Sequence, residues 1–227
     1  KDRLEPYGHH KPTSPFLDEL SQKSVVLERH FTQAPWTRPS MGALFTGVWP
    51  RVLQLDNPGK SGSLTMVLRD DHETIAEVLA ENGYRTIGST GNPNLKEKFG
   101  LAQGLQRNWE PKNTYKQGHL IVDGFKQVDF LLDELEETPA DEPVYMRLVL
   151  TDTHQPRRPK KKYVRLFHEG FGRPGRINGY DASVRKVDAI LAELFVEVSK
   201  KRPNTLFVIA SDHGEGLRYP KHHGRGH

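Results

Sequence analysis

The chain has no cysteine in its 227 residues. Disulfide bonds are excluded, while the compartment is left open. It has no long apolar run either: the mean hydropathy is -0.69 and the hydrophobic content 35%. A membrane-spanning helix in this stretch is excluded on that ground. One sizeable core remains within reach of 227 residues, and a single domain over residues 1–227 is the expectation. No internal repeat and no low-complexity segment interrupts it. The first residue is Lys1, not Met, so no leader peptide is read and no localisation assigned. Acidic residues fall short of basic ones, 29 against 33, giving a formal charge of +4. That balance suits an anionic substrate. Mild basicity spread over a surface does not make the concentrated patch that nucleic-acid binding needs, so no nucleic-acid partner is expected.

What the sequence does have is alternation. Tyr180, Val184, Val187, Leu191, Leu194 and Val198 recur at spacings of four and three, which places them on one helix face. Lys200, Lys201 and Arg202 suit that helix's negative end, and Pro203 stops it. Ile121, Phe125, Val128, Leu132 and Leu135 form a second stripe, ended by Thr138 and Pro139. Ile75, Val78 and Leu79 form a shorter one, closed by Asn82 and Gly83. Apolar strand candidates follow at residues 85–89, 144–150 and 206–210. Helix followed by apolar strand, three times, predicts an α/β fold with a largely parallel sheet. Ligands of such sheets gather at the carboxyl ends of the strands.

Two segments carry chemistry. Directly after residues 206–210 stands Ser211-Asp212-His213-Gly214-Glu215-Gly216. A strand delivering carboxylate and imidazole into a glycine-rich loop suits a divalent cation, although such a pair also caps ordinary turns. Far upstream, residues 37–47 read TRPSMGALFTG. There Thr37 can serve as N-cap, Pro39 fits the first turn, Met41, Leu44 and Phe45 make a short stripe, and Gly47 ends the helix. A hydroxyl at that end faces the side of the dipole that favours anions.

Together these segments resemble the sulfatase family of the alkaline phosphatase superfamily. The family's nucleophile signature, Cys/Ser/Thr-x-Pro-Ser-x-x-x-Leu-x-Thr-Gly, is met from Thr37 to Gly47, and its metal signature by Asp212, His213 and Gly214. In order between and around them, PTSPFLDEL, ETIAEVLAENGYRT, NPNLKEKFG, TDTHQPRRP and GYDASVRKVDAILAELF match further family segments. The resemblance covers essentially the whole chain. It implies an alkaline phosphatase-like three-layer α/β/α fold and a metal-dependent hydrolase of sulfuric, phosphoric or phosphonic monoesters. In that reading Thr37 attacks sulfur or phosphorus, and Asp212, His213 and Thr37 hold the metal. His154 contacts the anionic group, and Lys221, His223 and His227 lie toward the substrate. Arg157, Arg158, Lys160, Lys161 and Lys162 flank His154 and read as a solvated face or as a substrate-recruiting run.

The departures shape the chemistry. Many family members oxidise a Cys or Ser to formylglycine and follow it with Pro-Ser-Arg; here the nucleophile position is Thr37 and the arginine position Met41. Oxidising a secondary alcohol gives a ketone, so direct attack by a metal-activated threonine oxygen is the consistent alternative, and it favours phosphoryl chemistry. His213, where calcium-type members carry Asn, leans toward manganese or zinc, with calcium still open. A phosphoethanolamine-type transferase and a non-catalytic anion- or glycan-binding member are the other readings. The resemblance also implies metal-binding aspartates on a strand before Lys1, so the domain is expected to be incomplete at both ends and inactive as this stretch alone. Ser40, the rival nucleophile, matches the family's structural serine. Asp152 reads as holding its loop, and His9 and His10 as surface residues.

Overall fold

The computed structural model describes residues 1–56, 66–111, 115–116, 119–120, 122–155, 157, 159–168 and 175–217. Along them run the helices α1 (Pro15–Ser21), α2 (Thr37–Thr46), α3 (Ile75–Glu81), α4 (Gly124–Glu137), α5 (Lys161–Val164) and α6 (Arg176–Lys201). The strands are β1 (Arg85–Thr90), β2 (Arg107–Trp109), β3 (Tyr115–Lys116), β4 (His119–Leu120) and β5 (Val144–Val149). β2, β1 and β5 form a parallel sheet in that order, with Ile87 opposite Arg107 on one side and Met146 on the other. β3 and β4 pair antiparallel by themselves. The chain gathers into two compact units. One takes Lys1–His30, Pro111–Leu132 and Leu150–Thr205; the other takes Phe31–Glu110, Asp133–Val149 and the described part of Leu206–His227.

In the second unit β1 is the buried middle strand, as its run of small and β-branched residues requires. A core of Met41, Phe45, Leu53, Leu55, Met66, Leu68, Leu95 and Leu101 packs around α2. α2 sits so close to the turn below it that a methyl group on Gly42 would come within 2.4 Å of Leu55 Cδ1. Gly47 ends the helix at φ 69°, a conformation glycine adopts without strain. Thr74 and Glu77 start α3 with a reciprocal capping box. Glu134, buried near the end of α4, accepts a bifurcated bond from Arg107 Nε at 2.8 and 2.9 Å. Arg147 on β5 lies with its guanidinium 4.2 Å from the centre of the Phe45 ring. Burial lowers its pKa to about 10, so it stays charged at neutral pH.

In the first unit α6 is the organising element. Its Asp188 accepts N–H bonds from Phe16 (3.1 Å) and Leu17 (2.9 Å), the first turn of α1. A carboxylate on another helix thus does the work of an N-cap that Ser14 does not perform. Phe16 meets Phe195 edge-to-face at 5.5 Å. Farther along, Lys186 Nζ lies 2.6 Å from Asp152 Oδ1 and 2.8 Å from Asp123 Oδ1, so Asp152 does hold its loop, through an ion pair.

Three expectations need correction. Residues 206–210 are not a strand: no ladder forms there, and Leu206 and Val208 are 87% and 81% exposed. An apolar run becomes a strand only beside a partner, and among the described residues none lies alongside it. The stripe on α3 is also reversed. Ile75 and Val78 face solvent and Ala76 is buried, because the backbone at Gly104 presses on Ala76 and Glu77. His9 is half-buried, not a surface residue, and desolvation lowers its pKa. Ile121 lies outside the described residues.

Candidate active site

The site begins with an unspent hydroxyl. Trp36, extended at φ -150° and ψ 160°, is the N-cap of α2, and no side chain caps the helix. Thr37 is therefore the first helical residue, not the cap expected from the sequence. Its Oγ1 lies 3.2 Å from His213 Nε2, and Asn92 Nδ2 donates to it at 3.3 Å. Thr37 is buried, as is Asn92.

The ring of His213 is oriented by its other nitrogen. Nδ1 is 2.8 Å from the carbonyl oxygen of Gly214. A carbonyl can only accept, so Nδ1 carries a proton and Nε2 is the nitrogen turned to the site. Nε2 faces both the Thr37 hydroxyl and Asp212 Oδ2, the latter at 3.3 Å. An imidazole lone pair against a carboxylate oxygen is repulsive unless a proton or a cation sits between them. The donor set of one carboxylate, one imidazole and one hydroxyl thus fits part of a divalent-cation shell. Among the described residues, no group of three or more His, Cys, Asp and Glu comes together.

Ser40 and Arg38 hold this arrangement from behind. Ser40 Oγ donates to the backbone carbonyl of Asp212, so the rival hydroxyl is spent on positioning. Arg38 is buried over the Phe99 ring, 3.8 Å from its centre. It donates to Met66 O (3.0 Å) and Asn94 Oδ1 (3.1 Å), and desolvation lowers its pKa. The Asn94 amide N–H in turn donates to Asn92 Oδ1 at 2.9 Å, so α2 clamps the turn that aims Asn92. Met41, at the usual arginine position, packs in the apolar core and takes no part.

Thr37, Asp212 and His213 share the second unit, and His154 belongs to the first. His154 sits in a turn closed by its N–H to Thr151 O at 2.9 Å. Its Nδ1 is bonded to Gln155 O. Lys221, His222, His223 and His227 lie outside the described residues. Asn92, Asn94 and Arg38 were missed in the sequence. Their one signal was Asn-Pro-Asn directly beyond the carboxyl end of a buried strand. Replacing Asn92 by Ala removes one donor to the Thr37 hydroxyl. We expect kcat/KM for an aryl monoester to fall about tenfold, the worth of a hydrogen bond to a group developing charge. Unaltered kinetics would take Asn92 out of the site.

Known proteins share this chain's family and its fold. The Sulfatase family profile matches residues 1–227. Arylsulfatase A of Bos taurus is 34% identical over an 87-residue alignment covering 35% of this chain and 16% of that protein. The C-terminal periplasmic domain of EcEptC from Escherichia coli, solved in complex with Zn, superimposes with a TM-score of 0.71 at 18% identity, over 99% of this chain and 63% of that one. Phosphonate monoester hydrolase of Agrobacterium radiobacter superimposes with a TM-score of 0.65 at 16% identity, over 88% and 57%. The chain thus spans less than two thirds of these relatives. The fold they share is the alkaline phosphatase-like α/β fold expected from the sequence. Family members generally bind divalent metals, in keeping with the donors gathered at Thr37. By its sequence profile over its whole length, this chain belongs to the sulfatase family.

Proposed function

We propose that this chain carries the nucleophile of a hydrolase acting on phosphoric, phosphonic or sulfuric monoesters, with Thr37 Oγ1 as the attacking atom. The observation that carries this reading is the Thr37 hydroxyl. It is spared from capping α2 and held instead by His213 at 3.2 Å and Asn92 at 3.3 Å. A divalent cation held by Asp212, His213 and Thr37 would supply the positive charge that lowers the hydroxyl's pKa. Asn92 orients Oγ1, and the start of α2 presents its positive dipole end to the non-bridging oxygens. His154 is proposed as a further contact to them, and Lys221, His223 and His227 as substrate-side groups. The bond from Oγ1 to phosphorus or sulfur forms as the bond to the leaving oxygen breaks, and the hydroxyl proton passes to solvent. Water then cleaves the phospho- or sulfo-threonine and restores the hydroxyl.

The test is hydrolysis by an active preparation containing this chain. Chelation is expected to abolish turnover, and Mn, Zn or Ca to restore it. Aryl phosphates or phosphonates are expected to react faster than the matching aryl sulfate, because Thr37 cannot be oxidised to an aldehyde. A clear preference for the sulfate would overturn the phosphoryl assignment.

A further inference from the structure

One lysine of α6 is out of place. Lys200 and Lys201, at the end of that helix, are exposed, whereas Lys186 is buried. Its ammonium group binds two carboxylates, Asp152 at 2.6 Å and Asp123 at 2.8 Å. For Asp152 the bond is one-sided: Oδ1 takes it, and the buried Oδ2 has no hydrogen-bond partner among the described residues. The carboxylate is also closely packed, since a methyl group on Gly124, at the start of α4, would come within 2.8 Å of Oδ2. Lys186 is thus what aims Asp152. Asp152 in turn stands two residues before His154, inside the turn that the His154 N–H closes on Thr151 O at 2.9 Å. α6 holds the far side of this turn as well. Arg157 donates from Nε to Thr153 O at 2.8 Å, and its guanidinium lies over the ring of Tyr180 on α6, 4.9 Å from the centre. All of these residues belong to the first unit.

We infer that Lys186 and Tyr180 are positioning residues for His154, gripping its turn from α6 at either end so that the imidazole is presented in one direction. A buried ion pair suits that part better than it suits stability. Desolvation of the two charges offsets much of their attraction, whereas a pair fixed in direction specifies one geometry. A surface turn held only by its own backbone bonds opens easily and samples several geometries, each with the ring elsewhere. The rival account is that the pair merely fills the interior of the unit. It gives no reason for Arg157 to tie the same turn to the same helix from the other side. The inference rests on the ester reading only in taking His154 as a contact to the anionic group; the ordering of the turn stands without it.

The test uses an active preparation containing this chain, isotope-labelled at histidine. Lys186→Met with Asp152→Asn removes both charges of the pair, so that Asp152 is not left buried as a bare carboxylate. In the parent, the His154 ring is expected to give one sharp set of nuclear magnetic resonance signals, identified by their loss in His154→Ala. In the pair variant those signals are expected to broaden or shift, and KM for an aryl phosphate to rise about tenfold with kcat within about twofold. With His154 already replaced by Ala, the pair change is expected to leave KM within about twofold, because its effect runs through that ring. Asp188→Asn, which loosens α1 from the same helix, is the structural control and is expected to move neither the signals nor KM. If circular dichroism shows the pair variant unfolded, Tyr180→Leu carries the test from the other end of the turn, with the same signals expected to move. Unmoved His154 signals in a folded variant, signals moved as far by Asp188→Asn, or an equal rise in KM with and without His154 would overturn the inference. Signals that move while His154→Ala leaves KM unchanged support the positioning and sink the part of His154 in the ester reading. Absence of hydrolysis in every preparation sinks the ester reading alone, and the ring signals still decide the positioning.

Discussion

Thr37→Ala is expected to reduce monoester hydrolysis to background, a loss of at least ~10³-fold in kcat, whereas Thr37→Ser retains part of the activity. The alanine variant has no oxygen to attack phosphorus or sulfur. Ser40, one turn on, cannot substitute for it, because its hydroxyl is bound to the Asp212 carbonyl. The serine variant keeps an oxygen within reach of His213 Nε2 and Asn92 Nδ2. What it loses is the methyl group that fixes the χ1 rotamer, so a fraction of molecules present the oxygen wrongly. The measurement is single-turnover hydrolysis of an aryl phosphate, with trapping of a phosphorylated residue at position 37. Full turnover in the alanine variant would remove Thr37 from the mechanism.

The largest effect on stability is expected at Lys186. Its side chain is 9% exposed and that of Asp152 2%. Lys186→Met leaves Asp152 buried without its cation and Asp123 without its nearer partner. Breaking a buried pair from one side costs about 3–5 kcal/mol, which thermal and urea unfolding will read directly. Adding Asp152→Asn to Lys186→Met should recover part of the loss, because the uncompensated charge is then gone. If the single variant unfolds like the parent, the ion pair contributes nothing. The pH dependence has a definite sign. Desolvation acts to lower the pKa of Lys186, but Asp152 and Asp123 outweigh it and the net shift is upward. A raised lysine pKa gives stability that is complete below the ordinary value of 10.5 and lost as pH rises through the shifted one. For Asp123 desolvation acts upward, yet the bond and charge of Lys186 bring the net shift below 3.8. Its contribution is present above that value and lost as pH falls beneath it. The pair therefore stabilises the protein across neutral pH and weakens at both extremes.

How far the sequence foretold this depends on how local each determinant is. α6 was legible from its repeat and its Lys200-Lys201 end, β1 and β5 from runs of strand length that each follow a helix, and α2 from Pro39 and Gly47. All of these signals lie within one element. The state of residues 206–210 was not legible, since pairing is set by distant chain and not by the run itself. The cap of α2 was misread by one residue. Thr37 is a good N-cap by type, but the extended Trp36 fills that position. Asp212, His213 and Thr37, which the structure brings together, could be singled out because each stands in a patterned segment. Asn92 and Arg38 escaped because their parts come from three-dimensional convergence: one reaches the Thr37 hydroxyl from a strand end, the other extends to Asn94.

The bond from Ser40 to the carbonyl of Asp212 has a mechanical meaning. Ser40 follows Thr37 by one turn of α2, so the helix that bears the hydroxyl also grips the loop that bears the imidazole and carboxylate. A small slide or tilt of α2 carries both along as one body. The 3.2 Å gap between Thr37 Oγ1 and His213 Nε2 is thereby insulated from movements of the surrounding framework, and it can survive distortions that would shear two independently mounted groups apart.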